Sequence, residues 1–256
     1  MIGSSLKYLS ESRWGYIFAE LLGTPDLHTH IRLKPVLSYL TNSILKSSDP
    51  KILEVGCGYG VIPYELLDRG FNFCYTGFDQ DEDSIVKANK VIKNYNYAKL
   101  NFIKMNPFSG SWETGGEKYD IVLLIDVIEH ITDPEKLIRK IIEYTNKKSL
   151  FLVSVPTINY PKVFGKRFHR KVGHVINGYT LRSLEDLMNK INCKLKYYKF
   201  NTGLLSNIGC FLYYRISFNK RMLERIKIML LYIFKYLDLV NNKKFSCSLF
   251  AVFEVG

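Results

Sequence analysis

What the sequence lacks narrows it first. It has no CxxC pair, and its five cysteines (Cys57, Cys74, Cys193, Cys210 and Cys247) are odd in number and irregularly spaced. That pattern gives no zinc signature and fits reduced thiols in a cytoplasm. No run reaches the ~18 uncharged apolar residues that mark a spanning helix. The longest candidate, Thr202 to Tyr214, is too short and carries polar residues. Met1 to Lys7 lacks a cationic flank followed by an apolar run, so no signal peptide is expected. Internal repeats and low-complexity tracts are also missing, which leaves an ordinary globular chain.

Acidic residues are scarce in one region only. Residues 161–245 hold 18 Lys/Arg against 4 Asp/Glu, a balance of +14, while the rest holds 18 against 20, a balance of −2. The basicity therefore belongs to the C-terminal third. It points to a phosphate-bearing partner, an anionic membrane surface or a nucleic acid, or else to a solvated basic face. Hydrophobic residues make up 47% of the 256, enough for a sizeable core and for one α/β domain with an appendage.

Read along the chain, residues 5–46 suggest two helices broken near Gly23-Thr24-Pro25-Asp26. Strands and helices then alternate. Strands are expected at Lys51 to Val55, Phe73 to Phe78, Leu100 to Lys104, Tyr119 to Ile125 and Leu150 to Val155; helices at Val61 to Arg69, Asp81 to Tyr95 and Asp133 to Tyr144. The continuous apolar runs are those of strands covered on both faces, and the alternation implies a doubly wound parallel sheet. Residues 156–178 read as a long basic and aromatic loop, Leu181 to Ile191 as a helix, and Lys194 to Phe200 and Phe245 to Glu254 as strands. The 44 residues between those two strands are far more than a hairpin needs, so 201–244 is an insertion. The expected organisation is an N-terminal helical cap, 1–46, and one α/β domain, 47–256, with 201–244 as its helical insertion.

The first strand runs into Glu54-Val55-Gly56-Cys57-Gly58-Tyr59-Gly60. Glycines there permit a tight turn and let a ligand approach the backbone. An acid, Asp79, closes the second strand, where a carboxylate can accept hydrogen bonds from both ribose hydroxyls. The dinucleotide fingerprint GxGxxG fails, because its last position is Val61. The pattern Glu54-x-Gly56-x-Gly58-x-Gly60 instead resembles motif I of the class I S-adenosylmethionine (SAM)-dependent methyltransferases. Asn106 matches the place where that family usually has an Asp facing the adenine amino group, and its carbonyl oxygen can still accept that bond. Tyr119 to His130 resembles the family's fourth-strand motif, with Asp126 at its carboxyl end, and Asp133-Pro134 the start of the next helix. The resemblance implies a Rossmann-like seven-stranded sheet, mostly parallel, with an antiparallel last strand. It implies SAM as methyl donor and S-adenosylhomocysteine as product. It also implies a cofactor site made of Glu54, Gly56, Cys57, Gly58, Gly60, Asp79, Gln80, Asn106 and Asp126.

A hydroxyl acceptor is helped by a base that removes its proton. His174 and His130 are the catalytic candidates; a Gly-His-Val segment like Gly173-His174-Val175 lies near the acceptor pocket in related small-molecule O-methyltransferases. No metal is assigned, although Asp126, Glu129, His130 and His174 resemble the ExxEH…H cluster of small-RNA 2′-O-methyltransferases, and two carboxylates with two imidazoles could hold a divalent cation. Arg32, or a histidine beside it, could close over the cofactor or acceptor. In the insertion, Asn219 to Val240 reads as an amphipathic helix: Arg221, Glu224, Arg225, Lys227, Lys235 and Asp238 fall within one arc of about 160° at ~100° per residue, opposite Met222, Ile226, Met229 and Leu237. Such a helix packs on the core or lies in a membrane interface. The expected acceptor is a sugar, a lipid-linked or another small molecule. The chain is expected to be cytoplasmic, with a peripheral place at the inner membrane face through 201–244 as one outcome. The alternatives are a metal-assisted RNA 2′-O-methyltransferase, without a recognisable RNA-binding module, and a non-catalytic SAM-binding module.

Overall fold

The computed structural model describes residues 2–23, 27–44, 49–108, 110, 112, 116–216 and 244–256. Seven strands form one sheet: β1 (Lys51–Val55), β2 (Cys74–Asp79), β3 (Leu100–Lys104), β4 (Tyr119–Ile125), β5 (Thr145–Pro156), β6 (Cys193–Phe200) and β7 (Ser248–Val255). Their order is β3-β2-β1-β4-β5-β7-β6. The first five pair in parallel, and β7 runs antiparallel to both β5 and β6. The sheet is thus mostly parallel with an antiparallel last strand, the Rossmann-like arrangement. Strand order reverses between β1 and β4, and in such sheets the crevice at the carboxyl ends of those two strands receives the ligand.

Helices cover both faces. On one side α2 (Leu27–Tyr39), α3 (Val61–Leu67) and α4 (Glu82–Ile92) bury Val36, Leu37, Ile62, Tyr64, Ala88 and Val91 against Ile52, Ile121 and Leu123. On the other, α5 (Pro134–Ile142) and α8 (Leu181–Asn189) bury Leu137, Ile141, Leu184 and Met188 against Leu53, Val122, Phe151 and Phe253. Alternate strand residues thus feed two cores, which explains the consecutive apolar residues of β4 (Ile121 to Ile125) and β5 (Leu150 to Val153). The helix starts are specified locally. Asp81 caps α4 by accepting from the Ser84 amide at 3.1 Å, Asp133 caps α5 with Pro134 behind it, and Thr180 and Ser183 form a reciprocal capping box on α8.

Three expectations are corrected. The segment read as one long loop, 156–178, contains two short helices, α6 (Tyr160–Phe164) and α7 (Lys166–Lys171), which bury Tyr160, Phe164 and His169. The fifth strand begins at Thr145 rather than Leu150, because its polar start pairs with Tyr119 beside a bulge. The N-terminal region is more broken than two helices: a 3₁₀ turn (Ser4–Leu9) precedes α1 (Arg13–Leu22), and a π turn (Leu40–Ile44) follows α2. Within the insertion, Leu204–Arg215 forms α9, packed on α2 and α6. The amphipathic helix expected at 219–240, and Pro25 and Asp26 at the N-terminal break, lie outside the described residues.

Candidate active site

The turn after β1 is built by backbone bonds. The amides of Gly56 and Cys57 both donate to the Phe78 carbonyl, at 2.7 and 3.0 Å, and the Gly60 amide donates to Cys57 O at 3.0 Å. Gly60 must be glycine: its φ is +72° and a Cβ would lie 2.6 Å from the Phe102 ring. Gly58 also has positive φ, yet a Cβ there would meet nothing within 4 Å. The space over Gly58 is therefore open, as a ligand approaching the backbone requires.

Asp79 joins this turn to β2. Its Oδ2 accepts from the Gly58 amide at 2.8 Å and its Oδ1 from the Asp81 amide at 2.9 Å. Each oxygen retains a further acceptor position, so the carboxylate can bind a pair of hydroxyls while bracing the turn. Gln80 is exposed beside it. The chain leaving β3 is tied to the same spot, with the Met105 amide donating to Asp79 O at 2.8 Å. Asn106 follows in an Asx turn, its Oδ1 accepting from the Phe108 amide at 2.9 Å.

Glu54 and Cys57 lie beneath the turn. Both are buried. Tyr75 Oη donates to Glu54 Oε2 at 2.6 Å, and burial pushes the Glu54 carboxyl up to about 8. The Cys57 thiol is pushed well up by the same burial. These two shape the turn from below, whereas Gly58 and Asp79 face the space above it.

At the carboxyl end of β4 the chemistry changes. Asp126 has a left-handed backbone (φ +54°), uncommon for a residue with a side chain, and its amide donates to Ser154 O. Its carboxylate forms an ion pair with Arg32 of α2; the side chains are only 15% and 20% exposed. Both line a cavity of 180 Å³ together with Glu129, His130, Tyr160 and His174. A 3₁₀ turn, Ile128–His130, delivers Glu129 and His130 to it. The loop bearing His174 is pinned there because the Val175 and Ile176 amides both donate to the Glu129 carbonyl.

His130 Nδ1 donates to Gly173 O at 3.1 Å, because a carbonyl only accepts, and Nε2 is the ring nitrogen left for a further partner. The His174 ring lies 4.8 Å from that of His130 and 4.6 Å from that of His169. Burial, then the charges of His130, His169 and Arg32, pushes His174 down to about 4, so it is neutral at pH 7. Glu129 is fully buried, neither of its carboxylate oxygens has a hydrogen-bond partner, and burial pushes it well above the usual carboxylate range. Ligand atoms of Glu129, His130 and His174 lie within 4.8 Å of one another. Two imidazoles beside an unpartnered carboxyl group are a donor set that fits a divalent cation, although the sequence alone leads to no metal.

The sequence-derived residues thus fall into two groups. Glu54 to Gly60, Asp79, Gln80 and Asn106 gather at the ends of β1, β2 and β3. Asp126 is expected with them, yet it faces the Arg32 guanidinium and the histidine cavity. Tyr160, His169 and Tyr214 escaped the sequence reading. They sit on short or inserted helices whose basic and aromatic sequence carries no period.

The glycine turn, Asp79 and the strand order together describe a nucleotide-type crevice at a sheet's reversal point. A family model described as a methyltransferase domain matches residues 29–197. The chain belongs to the methyltransferase domain family. The match begins inside α2, so the helix that brings Arg32 to Asp126 belongs to the family region. Among curated relatives, this methyltransferase-family chain is similar to a protein named ubiquinone biosynthesis O-methyltransferase from Rickettsia canadensis. They are 31% identical over 134 residues, 52% of each chain. The chain spans about half the length of the curated relatives it matches. Among solved structures it is similar to the plantazolicin methyltransferase BpumL in complex with S-adenosylhomocysteine (TM-score 0.58, 18% identity, covering 99% of this chain and 94% of that one). It is also similar to the [4+2]-cyclase SpnF (TM-score 0.60, 12% identity, 87% and 82% covered). Likeness at that identity speaks for the fold; the chemistry has to come from the site.

Proposed function

We propose that this chain transfers a methyl group from SAM to a hydroxyl oxygen of a small-molecule acceptor. The observation that carries the reading is Asp79 bonded to the Gly58 amide beneath open space, at the sheet's reversal point. In this reading Asp79 takes the ribose hydroxyls, with Gln80 beside it and Asn106 next to the adenine. Gly58 lets the rest of the nucleoside lie on the backbone, Gly56 and Gly60 give the turn its left-handed bends against Val127 and Phe102, and Glu54 and Cys57 support the turn.

Bound SAM supplies a methyl group already activated on a sulfonium. The protein has to place an acceptor in line with it and keep water out. The acceptor oxygen attacks the methyl carbon, the C–S bond breaks with its electron pair going to sulfur, and the hydroxyl proton passes to an imidazole. His174, neutral and beside His130, is the group we assign to take that proton, with His130 Nε2 as its partner. Its low basicity means that the proton leaves as the C–O bond forms rather than before. Arg32 and Asp126 hold the floor of the acceptor cavity.

A metal-assisted version is favoured by one observation, the unpartnered buried carboxyl of Glu129. Glu129, His130 and His174 would hold the ion, which would supply positive charge next to the acceptor oxygen. Calorimetric titration with Mn²⁺ separates the versions. Binding that Glu129→Gln abolishes supports the ion, and no binding leaves the imidazoles alone.

Peripheral attachment to an anionic membrane is part of this reading. It is supported by the +14 balance of residues 161–245 and by exposed Arg167, Arg170, Lys171 and Arg215. Among the described residues no helix is long and apolar enough to cross a membrane. Nothing in the site favours a polynucleotide acceptor. Residues 1–46 serve in this reading as a helical cap on the domain 47–256.

The first test is calorimetric titration with S-adenosylhomocysteine, with NAD as control. We expect micromolar binding to the intact protein, a loss of at least tenfold in Asp79→Asn, and none for NAD. Equal binding of NAD, or no binding of S-adenosylhomocysteine by folded protein, would sink the reading.

A further inference from the structure

A second concavity lies behind the histidine cavity. It measures 340 Å³ and runs between α6, α9 and the chain entering β7. Its walls are Val163, Leu204, Ile208, Phe211 and Phe245. Leu204 and Ile208, one turn apart on α9, are 54% and 41% exposed. Large aliphatic side chains left side by side in water mark a surface that something covers.

An independent observation says what kind of molecule that is. Asn207 lines the same groove and is only 4% exposed. Its Nδ2 donates to Phe245 O at 2.6 Å, which fixes the amide's orientation, and its Oδ1 has no hydrogen-bond partner. A buried acceptor left unsatisfied is costly, and a ligand O–H or N–H would satisfy it. Lys162 and Lys244, both exposed, add positive charge at the rim. An apolar trough with one waiting acceptor and a cationic edge matches a hydrocarbon chain attached to a polar, anionic group.

The groove and the histidine cavity share one wall. Helix α6 gives Tyr160 to the cavity and Val163 to the groove. Helix α9 gives Tyr214 to the cavity and Phe211 to the groove, and the entry to β7 gives Cys247 to one and Phe245 to the other. We propose that the groove binds the hydrocarbon chain of an amphiphilic methyl acceptor whose hydroxyl-bearing head occupies the histidine cavity. This rests on the methyl-transfer reading above and names the acceptor's class within it.

The test uses the full chain and two fluorescent probes with the same dansyl head, 11-(dansylamino)undecanoic acid and dansylglycine. We expect the long probe to bind at micromolar concentration and dansylglycine at least tenfold more weakly. Leu204→Glu and Ile208→Glu change exposed positions, so the fold, followed by circular dichroism, stays intact. We expect each to weaken the long probe at least tenfold while S-adenosylhomocysteine affinity is unchanged. Equal binding of the two probes, equal binding by the variants, or no binding of the long probe would overturn the proposal. S-adenosylhomocysteine titrated into the same samples keeps the two readings apart. Its binding without probe binding overturns the groove alone. Probe binding without it overturns the methyl-transfer reading and, with that, the acceptor's role.

Discussion

At Glu54 a carboxyl group holds a proton that it would give up in water. Its ordinary value is 4.5, and burial, opposed by the Tyr75 hydrogen bond and reinforced by the Asp79 charge, raises it to about 8. Between those values the folded chain binds the proton and the unfolded chain does not. Stability from this group is therefore complete below pH 4.5 and is lost as pH rises towards 8. Glu54→Gln keeps an acceptor for Tyr75 and never ionises. Scanning calorimetry should find its Tm near the parent's at pH 4.5 and roughly 10 °C above it at pH 8. The neighbouring glycines should separate stability from binding. Gly60→Ala forces a methyl against Phe102 and should lower urea stability by roughly 2–3 kcal/mol. Gly58→Ala meets no protein atom; it should cost only about 1–2 kcal/mol for its left-handed backbone, yet weaken S-adenosylhomocysteine binding at least tenfold. The turn and Asp79 are legible in the sequence because a strand runs directly into alternating glycines, Gly56, Gly58 and Gly60. The Arg32–Asp126 pair is not, since nothing local links residues so far apart in the chain.

Elements were legible where they are buried on both faces or start with a side-chain cap. The strand β4 announces itself by the apolar run Ile121 to Ile125, and Asp81, Asp133 and Thr180 mark helix starts that the structure places within a residue of expectation. Thr180→Ala removes one half of the α8 capping box. It should cost about 1 kcal/mol, seen as a fall in Tm of roughly 2–4 °C. Helices α6 and α7 were hidden for a physical reason. Each is under two turns long, too short for a hydrophobic period, and Pro161 and Gly165 punctuate them as they would a loop. What holds them is tertiary: Tyr160 and Phe164 pack with Ile31, Cys210 and Cys247 from three other segments. That same packing builds the wall between the two cavities, so the least legible elements are those that shape the acceptor side.

For the whole molecule, the ion pair between Arg32 and Asp126 is a charged tie between the N-terminal helices and the reversal point of the sheet. Arg32→Gln leaves Asp126 with a charge that is largely shut off from water. It should cost roughly 2 kcal/mol after allowance for the partial exposure. Asp126→Asn tolerates the left-handed backbone, so the double variant should recover at least half of that loss in urea denaturation. Additive losses would mean that the two side chains act independently.

The place of β7 bears on how such a chain is made. Every residue it pairs with in β5 and β6 precedes it in synthesis, and about ninety residues separate the end of β5 from the start of β7. While a ribosome is translating that stretch, the outer edge of β5 has no neighbour, although the strands on its other side are complete. An unpaired, apolar edge is the feature of a nascent chain that other strands join. The interval between Pro156 and Ser248 is thus the window in which newly made copies on one polysome are most exposed to one another.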